Sequence, residues 1–233
     1  MSAKPTLIIV FAFVCFIQSR AQQSLSIAND TYSAPYMTNM DNDLDTLGSA
    51  LLLKTWVKGI ILNAQDSVIN DTTLLMNYDK LSGELVVTKD MKTFLHTEKR
   101  DIKAFVLYAP EGKYIFKKVP EITVKEFLQL LSSGTACTVY KKTITTVKGP
   151  SFHTDGIVES GTHFAKYVDV PVYYITNVTG KYKFSGRFFP TKKSIKTVFG
   201  FNEEKLNQYV AQHSKDAIDD NYITGLAAWF NKK

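Results

Sequence analysis

Four side chains able to bind a metal or move a proton crowd into one short stretch. They are His153, Asp155, Glu159 and His163, in KGPSFHTDGIVESGTH (148–163). Imidazole and carboxylate groups together suit zinc and similar ions, and either histidine could act as general base in a hydrolase. Their spacing matches no compact ligand motif. The Gly and Ser residues around them predict a long polar loop between strands, which does not force the four groups together. A polar surface loop is the expectation, with a metal site or an unrecognised hydrolase site as the alternatives. His96 and His213 stand alone. The chain has no Gly-rich phosphate loop, no GxSxG elbow, no HExxH and no paired CxxC. No catalytic residue and no cofactor is assigned from it.

A second stretch has a different chemistry. From Lys181 to Lys196 the chain carries Lys181, Lys183, Arg187, Lys192, Lys193 and Lys196 and no acid, with Tyr182, Phe184, Phe188 and Phe189 interleaved. Cations beside aromatic rings can hold a polyanion. The competing reading is a strand whose Tyr182 and Phe184 face the core while the lysines face water, as period two requires. An acidic glycan or a lipid head group is the expected class of anion. Nucleic acid is not, because the chain carries an export signal and its net charge of +6 is mild.

That signal occupies residues 1–21. Lys4 gives a positive start, LIIVFAFVCFI (7–17) an apolar core, and Ser19 and Ala21 the small residues that precede cleavage between Ala21 and Gln22. Eleven apolar residues are too few to span a bilayer, which takes about 20, so no transmembrane segment is expected after processing. Bulky Val14 before Cys15 argues against lipidation, and Cys15 is expected to leave with the signal. Cys137 is then the single cysteine, without an intramolecular disulfide partner, and TACTVYKK reads as a strand that buries it. Three N-x-S/T sequons, at Asn29, Asn70 and Asn177, are no more than this Asn-, Ser- and Thr-rich composition would produce by chance.

These stretches must be positioned by the elements around them. Residues 22–48 lack apolar periodicity and read as a poorly ordered leader. Asp41, Asp43 and Asp45 alternate there, but Thr46 and Leu52 occupy the places where a calcium loop needs Gly and Glu. From Thr55 short apolar runs alternate with turn signals: WVKGIILN, SVINDTTLLMNYD, ELVVTKD after LSGE, KTFLHTEK, IKAFVLYA, and KYIFKKV after PEGK. In KYIFKKV, Tyr114 and Phe116 alternate with Lys113, Ile115 and Lys117, giving one core face and one mixed face. TVKEFLQLLSSG (123–134) fits a capped helix, with Thr123 and Glu126 as capping box, and equally the first arm of a hairpin turning at SSGT. HFAKYVDVPVYYIT and KYKFSGRFF predict two more strands about NVTGK, with Pro171 marking an edge or a bulge. After Phe189 three short helices follow: one ended by Gly200, one capped by Asn202, and one capped by Asp219 or Asp220. The expected fold class is α+β: an antiparallel meander, sandwich or partial barrel over 49–233, closing in helices at about 191–231, as one domain.

The order of these features resembles an uncharacterised family of exported Gram-negative bacterial proteins. The resemblance rests on Trp56 and Gly59 in a W-x-x-G strand, on the pair Tyr78 and Asp79, and on Phe127, Leu130, Val139, Tyr140 and Lys141 in FLQLLSSGTACTVYKK. Two departures are NAQDS in place of a Gly-containing turn and a longer hairpin turn at SSGTACT. The resemblance favours the hairpin over the helix at 123–134 and implies a bacterial, exported, β-rich protein. It brings no site residues. Together these readings predict a non-catalytic protein of the periplasm or outer membrane that binds an envelope protein, or a polyanion through 181–196.

Overall fold

The computed structural model describes residues 46–154, 159–162, 164–177 and 184–232. Nine strands form one large sheet: β1 (Thr46–Leu47), β2 (Gly59–Asn63), β3 (Val68–Ile69), β7 (Ile102–Ala109), β8 (Gly112–Val119), β9 (Thr123–Ser132), β10 (Cys137–Lys148), β13 (Ala165–Asn177) and β14 (Phe184–Phe188). They run in the order β1-β13-β10-β9-β8-β7-β2-β3, with β14 also on β13. A second sheet holds β4 (Leu75–Asp79), β5 (Glu84–Thr88) and β6 (Leu95–His96), and β11 (Ser151–Thr154) pairs with β12 (Glu159–Thr162). Three helices close the chain: α1 (Lys192–Phe199), α2 (Glu203–Gln212) and α3 (Asp220–Asn231). Neighbouring strands of the large sheet are antiparallel except β1 on β13. The ordering is open, so the fold is an α+β sandwich and not a closed barrel.

Residues directly opposite one another on paired strands point to the same face. One register row therefore crosses seven strands: Ile61, Phe105, Phe116, Gln129, Lys141, Tyr173 and Phe188. This is the inner face, and it carries two cores. At the end formed by β2, β7, β8 and β9, Ile61, Phe105, Phe116 and Phe127 pack under Met76, Tyr78, Leu85 and Val87 of the small sheet. At the other end, Cys137, Val139, Tyr173, Ile175 and Phe188 pack under Ile195, Phe199, Leu206, Ile223 and Phe230 of the helices. The apolar row is broken only where the two cores meet, at Gln129 and Lys141.

Buried amides fasten the layers. Asn77 is fully buried. Its Oδ1 accepts from the amides of Leu53 and Tyr78, and its Nδ2 donates to the Leu53 carbonyl at 2.8 Å. This ties the irregular 51–57 segment to β4. At the last residue of α3, Asn231 Oδ1 accepts from the amides of Ala136 and Cys137, and its Nδ2 donates to the Cys137 carbonyl, each at 2.9 Å. The helix caps are the predicted ones: Asn202 accepts from the Lys205 amide and Asp219 from the Tyr222 amide. Gly200 ends α1 as expected.

Several expectations are corrected or resolved. The 123–132 stretch is a strand. A helical stripe would have buried Val124, which is 62% exposed, whereas pairing with both β8 and β10 buries Phe127 and Leu128. Cross-strand partners override the local capping signal. The stretch read as a long loop at 148–163 contains the β11–β12 hairpin, with Phe152 opposite Gly161 and Thr154 opposite Glu159. Its period-two content is masked by small residues. The large sheet also starts inside the expected leader, since Thr46 and Leu47 pair with Ala165 and Lys166. Pro171 sits where β13 is locally an edge, between its contacts with β1 at 165–166 and with β14 at 173–177. The signal peptide, its Ala21–Gln22 junction and the aspartates at 41–45 lie outside the described residues.

Candidate functional site

The opposite, outer face of the large sheet has its own register row: Ile60, Val106, Ile115, Leu130, Tyr140, Tyr174 and Arg187. Six apolar or aromatic side chains stand shoulder to shoulder across six strands and end at a guanidinium. At ~4.8 Å per strand the row is about 29 Å long. Leu62, Leu128 and Val172 flank it. Leu128, Tyr140 and Val119 are buried against one another, with Ile122, Leu130 and Tyr174 around them. Among the described residues this outer cluster comes from the strands of the sheet and the turn after β8, without help from the helices or the small sheet. Ile60, Val106, Ile115 and Leu130 are half-buried, and Tyr108 and Val170 at its margins are exposed.

The paired positions of this face carry cations and no acid. Lys113 lies opposite Tyr108, Lys117 opposite Ala104 and Leu128, Lys142 opposite Val172, and Arg187 opposite Tyr174. Lys113 Nζ is 5.6 Å from the Tyr108 ring centre and Lys117 Nζ 5.2 Å from that of Tyr140. The ammonium of each therefore sits over the face of an aromatic ring. Lys142 is balanced by Glu126, 3.3 Å away, which belongs to the part of β9 outside the paired register. Arg187 is exposed and lies over Phe189, 5.3 Å from its ring centre.

Arg187 thus joins the predicted basic stretch to this face. Lys192, Lys193 and Lys196 are exposed on α1, spaced to share one flank of the helix, while Ile195, Val198 and Phe199 are buried. Among the described residues no carboxylate pairs with these three lysines. Two of them sit in the first helical turn, where the helix dipole disfavours positive charge. Lys181 and Lys183 lie outside the described residues. So do Asp155 and His163. For His153 and Glu159 only the backbone is described, which puts them on opposite strands of the β11–β12 hairpin, one register step apart. Among the described residues no group of three or more His, Cys, Asp or Glu side chains is placed to hold a metal ion.

Other reactive groups are tied up in the fold. Cys137 is fully buried, and burial pushes its thiol up to about 11. His96 Nδ1 is 3.0 Å from Glu84 Oε2, and this contact holds the Glu84 carboxyl below its usual range. His213 pairs with Asp216 at 2.7 Å. On the inner face, Lys141 and Tyr173 both engage Asp220, and burial raises the Tyr173 phenol well above its ordinary value. These contacts join layers of the fold.

The row at 60–187 was not predicted as a site. Its signal was present in KYIFKKV, where Lys113, Ile115 and Lys117 were separated from Tyr114 and Phe116 as a mixed face. What the sequence did not supply was the register that lines up Ile115 with Val106 and Leu130. No helix among the described residues is long and apolar enough to cross a membrane. Comparison with protein-family models, with curated proteins and with solved structures finds no match.

Proposed function

We propose that this chain is a non-catalytic, exported binding protein of the bacterial envelope, which engages an envelope component through the outer sheet face. The observation that carries the reading is the row from Ile60 to Tyr174 edged by Lys113, Lys117 and Arg187. Contiguous apolar surface left in contact with water can mark an interaction site, and here Ile60, Val106, Ile115 and Leu130 are part-exposed beside exposed Tyr108 and Val170. The export reading rests on residues 1–21 and on the family resemblance. The test is fractionation of the native host. The protein should remain with the envelope in low salt, and replacing Lys113, Lys117 and Arg187 by Gln should release it. A protein recovered wholly in the soluble fraction at low salt, with the variant distributed identically, would overturn the reading.

A second reading has its own observation, the three lysines of α1 that no carboxylate pairs with among the described residues. They suit an acidic glycan held by charge alone, and such binding falls steeply with salt. Retention on a carboxylated polysaccharide column that is unchanged by replacing Lys192, Lys193 and Lys196 with Gln would remove it.

A further inference from the structure

We infer that the occupant of the outer face is a single anionic amphiphile: an alkyl chain lying along the apolar row, its anionic head toward Arg187. The inference rests on the proposed envelope-binding function and names its ligand class.

Two observations and the usual twist of a sheet select this occupant. The row is apolar from Ile60 through Leu130, becomes amphipathic at Tyr140 and Tyr174, and ends at Arg187. A ligand matching that gradient is apolar along most of its length and negative at one end. The charges at paired positions of the face are all positive. A second copy docked face to face would bring cations against cations, which is unfavourable. Adjacent strands in sheets are generally rotated by ~20–25°, which over seven strands amounts to roughly 120–150° from end to end. A flat bilayer surface cannot follow that turn. A flexible chain can.

Lys113 and Lys117 give the face a further property. Each lies over an aromatic ring, Tyr108 and Tyr140. Swinging either side chain aside exposes that ring to the alkyl chain. The lysines can therefore shield the row when it is empty and withdraw to water when the alkyl chain fills it.

The test uses the processed full chain and straight-chain carboxylates of increasing length, each below its micelle concentration, with alkyltrimethylammonium ions as opposite-charge controls. Binding is read by calorimetry. Affinity for the carboxylates should rise about two- to fourfold per added methylene, and the cationic series should bind at least tenfold more weakly. R187Q should abolish the preference for the anion, whereas K113Q/K117Q should keep it. Ile115→Asn should flatten the dependence on chain length. K54Q/K92Q/K215Q, which removes three exposed charges elsewhere, should change neither. Thermal melts of each variant separate lost binding from lost fold.

Saturable binding that ignores chain length, or that favours neither charge, overturns the inference. So does a dimer in light scattering that dissociates on Ile115→Asn, because the face would then belong to a second copy. Envelope association that persists without any binding of monomeric carboxylates leaves the proposed function standing and removes the amphiphile. Loss of both removes both.

Discussion

Lys141 Nζ lies 2.5 Å from Asp220 Oδ2, while the Tyr173 hydroxyl donates to Oδ1 of the same carboxylate at 2.7 Å. Asp220 is the first residue of α3, and Lys141 and Tyr173 are opposite one another on β10 and β13. One carboxylate thus fixes a helix start to two strands. It also neutralises the one cation in the inner register row, at the place where the two cores meet.

Removing that carboxylate leaves a mostly buried ammonium and a phenol without their acceptor. Asp220→Ala should destabilise the fold by about 1–2 kcal/mol, a value held down because the Asp220 side chain is itself 40% exposed. Adding Lys141→Met should recover part of the loss, since the stranded charge disappears. Urea unfolding of the two singles and the double gives the coupling. Strictly additive effects would show that the pair is not coupled.

Asn231 is the only side chain that bonds the Ala136 and Cys137 amides among the contacts described above. Asn231→Ala should cost about 2–3 kcal/mol through those orphaned groups. Gly134→Ala should have a comparable cost for a different reason, because a Cβ there would overlap the Asn231 carboxamide. Thermal melts of both variants, with hydrogen exchange at Cys137, check this.

Acid should weaken one long-range contact selectively. Lys80 Nζ is 2.5 Å from Asp169 Oδ2, and the Thr145 hydroxyl donates to Oδ1. Burial alone would raise the Asp169 carboxyl, but the bonds from Lys80 and Thr145 outweigh it and hold the group below its ordinary 3.8. A depressed carboxyl stabilises the fold fully above its unfolded value, and that contribution is lost as pH falls through the lowered one. Lys80→Met should therefore be less stable than the parent at pH 6, with the gap narrowing below about pH 3.8. Denaturant midpoints across pH 2.5–7 (roughly the range over which carboxylates titrate) would show it. A gap independent of pH would remove the pair from the acid response.

The buried Cys137 thiol should be inert in the native protein. A thiol-specific reagent at pH 8 should react fully only after denaturant is added. Rapid labelling of the native chain would mean that the packing of α3 on β10 opens readily, since Cys137 Sγ faces the Ala227 carbonyl at 3.9 Å.

Much of the architecture was legible because period two and turn chemistry are local. The runs at 102–109 and 112–119 and the three capped helices fall where their residues predict. The 123–132 stretch was ambiguous because Phe127 and Leu128 satisfy both a helical stripe and a strand buried on two faces, and only the partners β8 and β10 decide. The 151–162 hairpin was missed because Ser and Gly residues carry no apolar alternation. The outer row escaped for a related reason: each of its members comes from a different strand, and no linear pattern records which residues pairing brings side by side. Arg187 was singled out for its charge, but its position at the end of that row depends on the register with Tyr174.

The inner core under the helices has a consequence for synthesis. Cys137, Val139, Tyr173 and Ile175 are sealed by residues that emerge from the ribosome later, from Ile195 to Phe230. Until then a nascent chain holds β10 and β13 with one greasy side bare, and the amides of Ala136 and Cys137 wait for Asn231. A message truncated before codon 219 would yield a sheet that can pair its strands but cannot close over them. Such a fragment would be a ready substrate for chaperones and proteases, so completion of the last helix acts as the fold's own proofreading step.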